Sequence, residues 1–273
     1  MEAPAVRYSG AVQQDLQDFQ PVKSAGRTLD VLEVLAGTAA GQPRSWTLVD
    51  LARELGIPKS SLHGLLRTMT VRGWVRADET GTRFRLGMRA LQVGAAYLDG
   101  DDSVAVLSGV LDELSRRLGE TVHLGRIDGD QIVYLAKRDS THRLRLYSAV
   151  GRRLPAHATA LGKALLAQHP DADVDRMLTW PLQRLTPGTV TERGDLHRVL
   201  ATVRETGYAV DREENAEGIM CFAMAVPLSE PATDAVSVSV PTTRMSADVE
   251  GRIVDALSDL VRPLGQARSM LSA

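Results

Sequence analysis

The second half of the chain contains the three residue types of a cysteine hydrolase. Cys221 is the only cysteine among 273 residues, and His157 and Asp211 would be the base and the group that orients it. Cys221 lies in the apolar run CFAMAV, however, and a lone cysteine in such a run is more often a small buried hydrophobic residue. A ligand-binding or hydrolytic protein that uses Cys221 and His157 is therefore the alternative function, and we do not expect an enzyme.

The histidines do not form a recognisable metal site. His123, His142 and His157 lack the spacing of metal ligands, and there is no second cysteine. We expect no metal and no cofactor.

Three other segments have the composition of a small-molecule pocket. Residues 151–163 (GRRLPAHATALGK) are rich in small residues and begin a helix whose N–H groups favour an anion. Residues 207–221 form a charged loop between two predicted strands. In VSVSVP, strand alternation puts Ser237 and Ser239 on one face and valines on the other. Hydroxyl groups along one strand face predict the polar floor of a ligand site.

Residues 47–87 have the order helix, tight turn, helix and hairpin, which is the layout of a winged helix-turn-helix. Thr47 and Asp50 form a T-x-x-D cap. Gly56 suits the left-handed end of the first helix, and Pro58 suits the start of the second. The buried face of the second helix is predicted from the helical spacing of Leu62, Leu65, Leu66 and Met69.

The outer face of that second helix has small, polar and cationic side chains, which suit contact with phosphates and base edges. On the return strand of the hairpin, Arg83 and Arg85 share one face and Phe84 lies on the other. The predicted DNA-binding residues are Lys59, Ser60, Ser61, His63, Arg67, Arg83 and Arg85.

Charge is distributed unevenly along the chain. The net charge is −2, yet residues 23–90 contain eleven Lys and Arg against six Asp and Glu. A basic module joined to an acidic remainder favours one nucleic-acid-binding domain and one domain with another task.

With 44% apolar residues, one cysteine, no signal peptide and no apolar run of membrane-spanning length, we expect a cytoplasmic protein.

The pattern of elements predicts an α+β protein with four segments. These are a flexible arm (1–22), a winged helix-turn-helix domain (23–87), a connector helix and linker (88–102) and a second domain (103–273). In the first half we expect a helix at 24–35, whose apolar side includes Leu29, and a loop at 37–45. The second domain is predicted to contain helices at 104–118, 159–168, 195–205 and 248–271, the last one broken near Pro263, and strands at 121–127, 131–137, 144–150, 208–211, 221–228 and 235–240. Val106 is expected on the apolar face of the first of these helices.

Four segments in this order resemble the IclR (isocitrate lyase regulator) family of bacterial transcription factors: IPKSSLHGLLRTM, GRRLPAHATALGKALLA, GYAVDREENAEGIMCFA and SVSVP. The resemblance extends from about Ser24 to the C-terminus. It implies a C-terminal effector domain with a GAF-like antiparallel sheet flanked by helices. It also implies double-stranded operator DNA as a partner, a homodimer that can pair into a dimer of dimers, and an operator affinity modulated by a small organic acid or other metabolite.

The resemblance also implies effector contacts, which fall on Leu154, Ala160, Leu161, Asp211, Ile219, Cys221, Ser237 and Ser239. A carboxylate would accept hydrogen bonds from the two serine hydroxyls and from N–H groups near Ala160. Asp211 would accept one from an effector hydroxyl, so a hydroxylated or carbonyl-bearing acid fits better than a simple anion.

The chain departs from the pattern of the family it resembles at three positions. Gly64 stands in the second helix where they often have arginine, Met220 also replaces a common arginine, and Leu161 is bulky for its position. A third class of function, a purely structural or protein-interaction module, is disfavoured by the basic first domain and the hydroxyl-bearing strand. The connector helix is nevertheless expected to mediate dimerisation.

Overall fold

The computed structural model describes residues 22–39, 42–43, 45–142 and 148–265, which form two compact units that divide between Gly100 and Asp101. The arm predicted at 1–22 lies outside the described residues except for Val22. Within the described ranges, no helix has both the length and the apolar character needed to cross a bilayer.

The first unit is a small helical domain with a three-stranded sheet in the order β3-β5-β4. Its elements are α1 (Lys23–Ala36), β1 (Thr38–Ala39), β2 (Gln42–Pro43), β3 (Trp46–Thr47), α2 (Leu48–Leu55), α3 (Lys59–Val71), β4 (Val75–Ala77), β5 (Arg83–Leu86) and α4 (Met88–Asp99).

Local chemistry sets both ends of helix α2. The Thr47 side chain accepts the backbone N–H of Asp50 and so caps α2, and Gly56 ends that helix at φ 61°. Both predictions are confirmed. The core between the helices and the sheet includes Leu51, Leu62 and Leu66.

Two expectations for the first unit are wrong. The segment 37–45 is not only a loop, because β1 and β2 pair within it. The chain then adds β3 to the hairpin sheet, with Trp46 opposite Phe84. Leu29 is exposed, because the buried side of α1 is formed by Leu35, as expected, together with Val31.

The second unit is built on a six-stranded antiparallel sheet in the order β8-β7-β6-β11-β10-β9. Its strands are β6 (Thr121–Asp128), β7 (Gln131–Arg138), β8 (Arg153–Pro155), β9 (Ala209–Arg212), β10 (Ile219–Ala225) and β11 (Asp234–Pro241). Its helices are α5 (Asp102–Leu118), α6 (Ala160–Leu166), α7 (Asp171–Met177), α8 (Arg193–Thr206) and α9 (Ala247–Val261).

Helices cover both faces of this sheet. On one face, α6 and α8 pack against small side chains such as Ala209, Ala223 and Ala235. On the other, α5 and α9 pack against the sheet. All eight residues of the central strand β11 are buried, so this strand lies inside the domain on both faces.

Several element predictions in this unit need correction. Val106 is exposed, and Leu107 takes its place on the buried face of α5. The strand expected at 144–150 falls largely outside the described residues, and 148–150 are not extended into a strand. Helix α7 and strand β8 were not predicted. The terminal helix is interrupted at Arg262, as expected beside Pro263, and residues 266–271 lie outside the described range.

Candidate functional site

The outer face of α3 is exposed along its whole length. The buried residues of α3 are Leu62, Leu66 and Met69, on the opposite face of the helix. The five side chains predicted to contact DNA from this helix all face solvent: Lys59, Ser60, Ser61, His63 and Arg67. The helix therefore presents a polar, cationic surface with its apolar side anchored in the domain.

Gly64 lies in the middle of this exposed surface. A Cβ atom built at Gly64 meets nothing within 4 Å, so packing does not require glycine there. The absent side chain leaves a gap between His63 and Arg67 on the face that would approach DNA.

The hairpin presents three arginines on one face. Arg83 and Arg85 are exposed on β5, while Phe84 between them is buried. Strand β4 adds Arg76, which is directly opposite Arg85 in the register. Two like charges placed opposite each other repel, and a phosphate between them would remove that repulsion. Arg76 was not among the predicted contacts, although its register in the hairpin could have identified it.

In the second unit, four polar side chains form a row across adjacent strands. Asp211 is opposite Cys221, Cys221 is opposite Ser239, and Ser239 is opposite Thr121. Asp211 and Ser239 are each 3% exposed. The Cys221 Sγ atom is 3.1 Å from Ser239 Oγ. The charged loop and the hydroxyl-bearing strand are therefore brought together, as the sequence suggested.

Ser237 lies in the next row of the same face. It is opposite Ala223 on β10 and His123 on β6, and both Ser237 and His123 are 2% exposed. The small side chain of Ala223 is fully buried in the core beneath helix α6.

Helix α6 covers this face at close range, and Gly125 of β6 permits the approach, while Gly162 lets the helix pack on the turn that precedes it. At Gly125, a Cβ would lie 2.8 Å from a Leu161 methyl carbon. At Gly162, a Cβ would lie 2.1 Å from the Ala156 carbonyl oxygen. The small residues of this segment thus bring protein backbones together. The Thr159 side chain accepts the N–H of Gly162, so that donor is already used.

The remaining predicted contacts differ in position. Ala160 and Leu161 are buried on α6 in the core above the sheet. Ile219 is the first residue of β10, where it is half-buried and lies opposite Pro241. Leu154 is on β8, at the opposite edge of the sheet from the strand that carries Asp211, so the sheet does not bring Leu154 into the Asp211 row.

A buried charge cluster flanks the Asp211 end of the row, and most of it was not predicted. Lys163 of α6 is fully buried and forms an ion pair with Glu214. The backbone N–H of Glu214 donates to Asp211 Oδ1 at 2.7 Å. Burial raises the pKa of Asp211 to about 6, against the opposing charge of Lys163. With this pKa the carboxyl group is still mostly ionised at neutral pH, and it can accept a hydrogen bond from a hydroxyl.

Cys221 and His157 do not form the nucleophile–base pair that a cysteine hydrolase requires. Burial raises the pKa of the Cys221 thiol to about 12, which leaves no thiolate nucleophile at neutral pH. Cys221 and His157 make their hydrogen bonds to other residues. The Cys221 thiol contacts the Ser239 hydroxyl, and His157 Nε2 lies 2.9 Å from the Gln183 carbonyl oxygen. Among the described residues, no group of three or more His, Cys, Asp and Glu is arranged to hold a metal.

Comparison with known proteins agrees with both units. Residues 24–79 match the IclR helix-turn-helix domain, and residues 95–265 match the bacterial transcriptional regulator IclR C-terminal domain. The chain belongs to the IclR family. It is a DNA-binding transcriptional regulator with a C-terminal effector-binding domain.

Relatives and solved structures cover nearly the whole molecule. The Escherichia coli HTH-type transcriptional regulators XynR and KdgR are each 36% identical to this chain, over 82% and 85% of it and 88% of each relative. A crystal structure of an IclR transcriptional regulator from Alicyclobacillus acidocaldarius covers 91% of this chain and all of its own, with 25% identity and a TM-score of 0.78. These relatives are named as regulators, which agrees with a non-enzymatic role.

Proposed function

We propose that this regulator changes its operator affinity when a small hydroxylated or carbonyl-bearing organic acid binds beneath α6. The observation that carries the proposal is the row of Asp211, Cys221 and Ser239, in which Asp211 and Ser239 are buried, with the buried Ser237 in the next row. A face of serine hydroxyls beside a carboxyl group serves no packing purpose, because apolar side chains would fill the same space at lower cost.

The two ends of this row favour different effector groups. Ser237 and Ser239 offer hydroxyl donors to a carboxylate or carbonyl oxygen. Asp211, whose pKa is raised to about 6, opposes a second negative charge and favours an effector hydroxyl. Ala160, Leu161 and Ile219 would contribute the apolar walls, and Cys221 would present its thiol between Asp211 and Ser239.

We infer that the protein acts as a homodimer through α4, with a dimer of dimers as the larger assembly. None of the twelve residues of α4 is buried. Four of them are large apolar or aromatic residues that are each more than half exposed: Met88, Leu91, Val93 and Tyr97. A short isolated helix with this much exposed apolar surface is only marginally stable in water. A second copy of the same helix would cover it, in the cytoplasm where operator DNA is found.

The structure of the second unit suggests how the effector signal leaves the pocket. Arg126 forms ion pairs with Asp234, the first residue of β11, and with Asp101, which caps α5. Strand β11 also carries Ser237 and Ser239. Asp101, which lies between α4 and α5, is therefore tied through Arg126 to the strand that would bind the effector. A shift of β11 would then alter the spacing of the two winged-helix domains of the dimer.

The DNA-binding half of the proposal is tested by gel shift or fluorescence anisotropy with the intergenic DNA beside the gene. We expect Lys59→Ala and Arg67→Ala each to weaken binding and to reduce the salt dependence by about one phosphate contact. Glu205→Ala, far along the chain in α8, is the matched control. Unchanged affinity in both arginine and lysine variants would remove α3 as the recognition helix.

The effector half is tested in the same assay with Ser239→Ala combined with Asp211→Ala. The double variant should bind DNA as the wild type does but should no longer respond to an organic acid that shifts the wild-type curve. A normal response would remove this row from the effector site.

A further inference from the structure

His123 is a buried histidine with one ring nitrogen unused. Its Nε2 atom lies 2.8 Å from Ser148 Oγ. Its Nδ1 atom is buried and has no hydrogen-bond partner within the part of the chain that the structure describes. Burying a polar nitrogen without a partner destabilises a fold, so this atom requires an explanation.

The surroundings of His123 favour a neutral ring, whose single proton can reside on Nδ1. Burial lowers the pKa of His123 to about 4, assisted by the positive charge of Lys137 and Arg152 and opposed by Asp139. The Ser148 hydroxyl can donate to Nε2, which leaves the ring proton on Nδ1. The unused atom is then an N–H donor.

His123 faces the proposed effector site. It is directly opposite Ser237 on the neighbouring strand, and opposed side chains on one face have Cβ atoms roughly 4.5–5.5 Å apart. Its ring stacks on Tyr134 with the centroids 4.3 Å apart. No hydrogen bond of the Tyr134 hydroxyl is found among the described residues either, and this ring packs in the core beneath α6.

Charge differs between the two sides of this face. Lys137 and Arg152 act electrostatically on His123 at the β6–β7 side, where Asp139 forms an ion pair with Lys137. Asp211 and Glu214 lie at the β9 side, where Lys163 offsets one of them. A bound molecule with a carboxylate at one end and hydroxyl groups at the other would be oriented by this difference.

We propose that the Nδ1–H group of His123 donates a hydrogen bond to the carboxylate of the effector, together with the Ser237 hydroxyl. The effector then lies across the sheet with its carboxylate at β6 and its hydroxyl groups towards Asp211. His123 is thus a specificity-determining residue for the acid group. The inference rests on the proposed function, because it assigns a further residue to the same effector site.

The test uses the full-length protein and a calorimetric titration with defined probes. The acids are glycolate, D-glycerate, D-gluconate and L-malate, and glycerol and sorbitol are counterparts without a carboxylate. The variant is His123→Phe combined with Ser148→Ala, which keeps a ring against Tyr134 and removes both partners of the existing hydrogen bond. His142→Phe, at an exposed position of the same domain, is the matched control.

We expect the double variant to lose about ten- to a hundredfold in affinity for the acids that bind the wild type. Its melting temperature without ligand should not fall, because an unpaired buried donor has been replaced by apolar atoms. A merely structural histidine would give the opposite pattern, with a lower melting temperature and unchanged affinity. That result would overturn the proposal.

A second measurement does not depend on a variant. Nitrogen-15 spectra of the histidine rings should show His123 protonated on Nδ1, with a proton signal that moves downfield when a binding acid is added. Protonation on Nε2 without a ligand-dependent shift would overturn the assignment. If none of the four acids binds the wild type, the proposed effector class fails together with this inference, whereas acid binding that the variant retains refutes the inference alone.

Discussion

Replacing Asp211 by asparagine should stabilise the ligand-free protein at neutral pH. Burial raises the pKa of this carboxyl group from 3.8 to about 6, although Lys163 and two backbone N–H groups favour its ionised form. Asparagine keeps an oxygen that can accept the N–H groups of Glu214 and Asn215. It removes the cost of ionising a group that is 3% exposed.

The size and the sign of the effect follow from proton linkage. Between pH 4 and pH 6 the folded state retains a proton that the unfolded chain has released, so stability falls as the pH rises through this range and then levels off. A shift of about two pKa units corresponds to about 3 kcal/mol. The variant should therefore gain up to about 3 kcal/mol over the wild type at pH 7.5 and only about 0.6 kcal/mol at pH 4.

Thermal unfolding of both proteins at pH 4 and pH 7.5 measures this difference. A gain of about 3 kcal/mol raises the melting temperature of a domain of this size by roughly 6–12 °C. Asp255→Asn, at an exposed position of α9, should shift the melting temperature little at either pH. If Asp211→Asn is less stable than the wild type at pH 7.5, then the charge of Lys163 outweighs the cost of burying the ionised carboxylate, and the reasoning behind the expected gain is refuted.

Two further substitutions test the packing around the two sites. Gly64→Ala should raise the stability of the first unit by about 0.5–1 kcal/mol, because alanine favours a helix interior and its Cβ would meet nothing within 4 Å; a lower melting temperature would contradict this. Arg126→Met should cost about 3–5 kcal/mol, since Asp101 and Asp234 are then buried without their cation. Adding Asp234→Asn should recover part of the loss, and an unchanged melting temperature in Arg126→Met would show that the bridge does not hold α5.

The helix-turn-helix was predictable because its signals are local. The Thr47 cap and the Gly56 helix end depend on residues within one turn, and the structure has both. Strand β3 was missed for the opposite reason. A two-residue strand has no period of its own, and Trp46 becomes part of a sheet only because Phe84, far along the chain, is opposite it.

The candidate effector site was predictable in part. Alternation put Ser237 and Ser239 on one face, and the order of segments brought Asp211 near them. Lys163 was not predicted to matter, because a lysine in a short helix is ordinarily solvated, and its complete burial depends on Glu214 in a distant loop. His123 was considered only as a metal ligand, since its position opposite Ser237 depends on the pairing of β6 with β11.

Strand β11 connects the proposed effector site with the ion pairs of Arg126 inside the second unit. It carries the hydroxyls of Ser237 and Ser239 in its middle and the Arg126 partner Asp234 at its start. A strand that is buried on both faces and paired on both sides cannot move alone, because close-packed interiors pass displacement on to their neighbours. Coupling between two sites of a regulator is typically worth about 1–3 kcal/mol. One or two hydrogen bonds formed with the effector in only one position of β11 would supply that amount, so a small acid is large enough to change operator affinity.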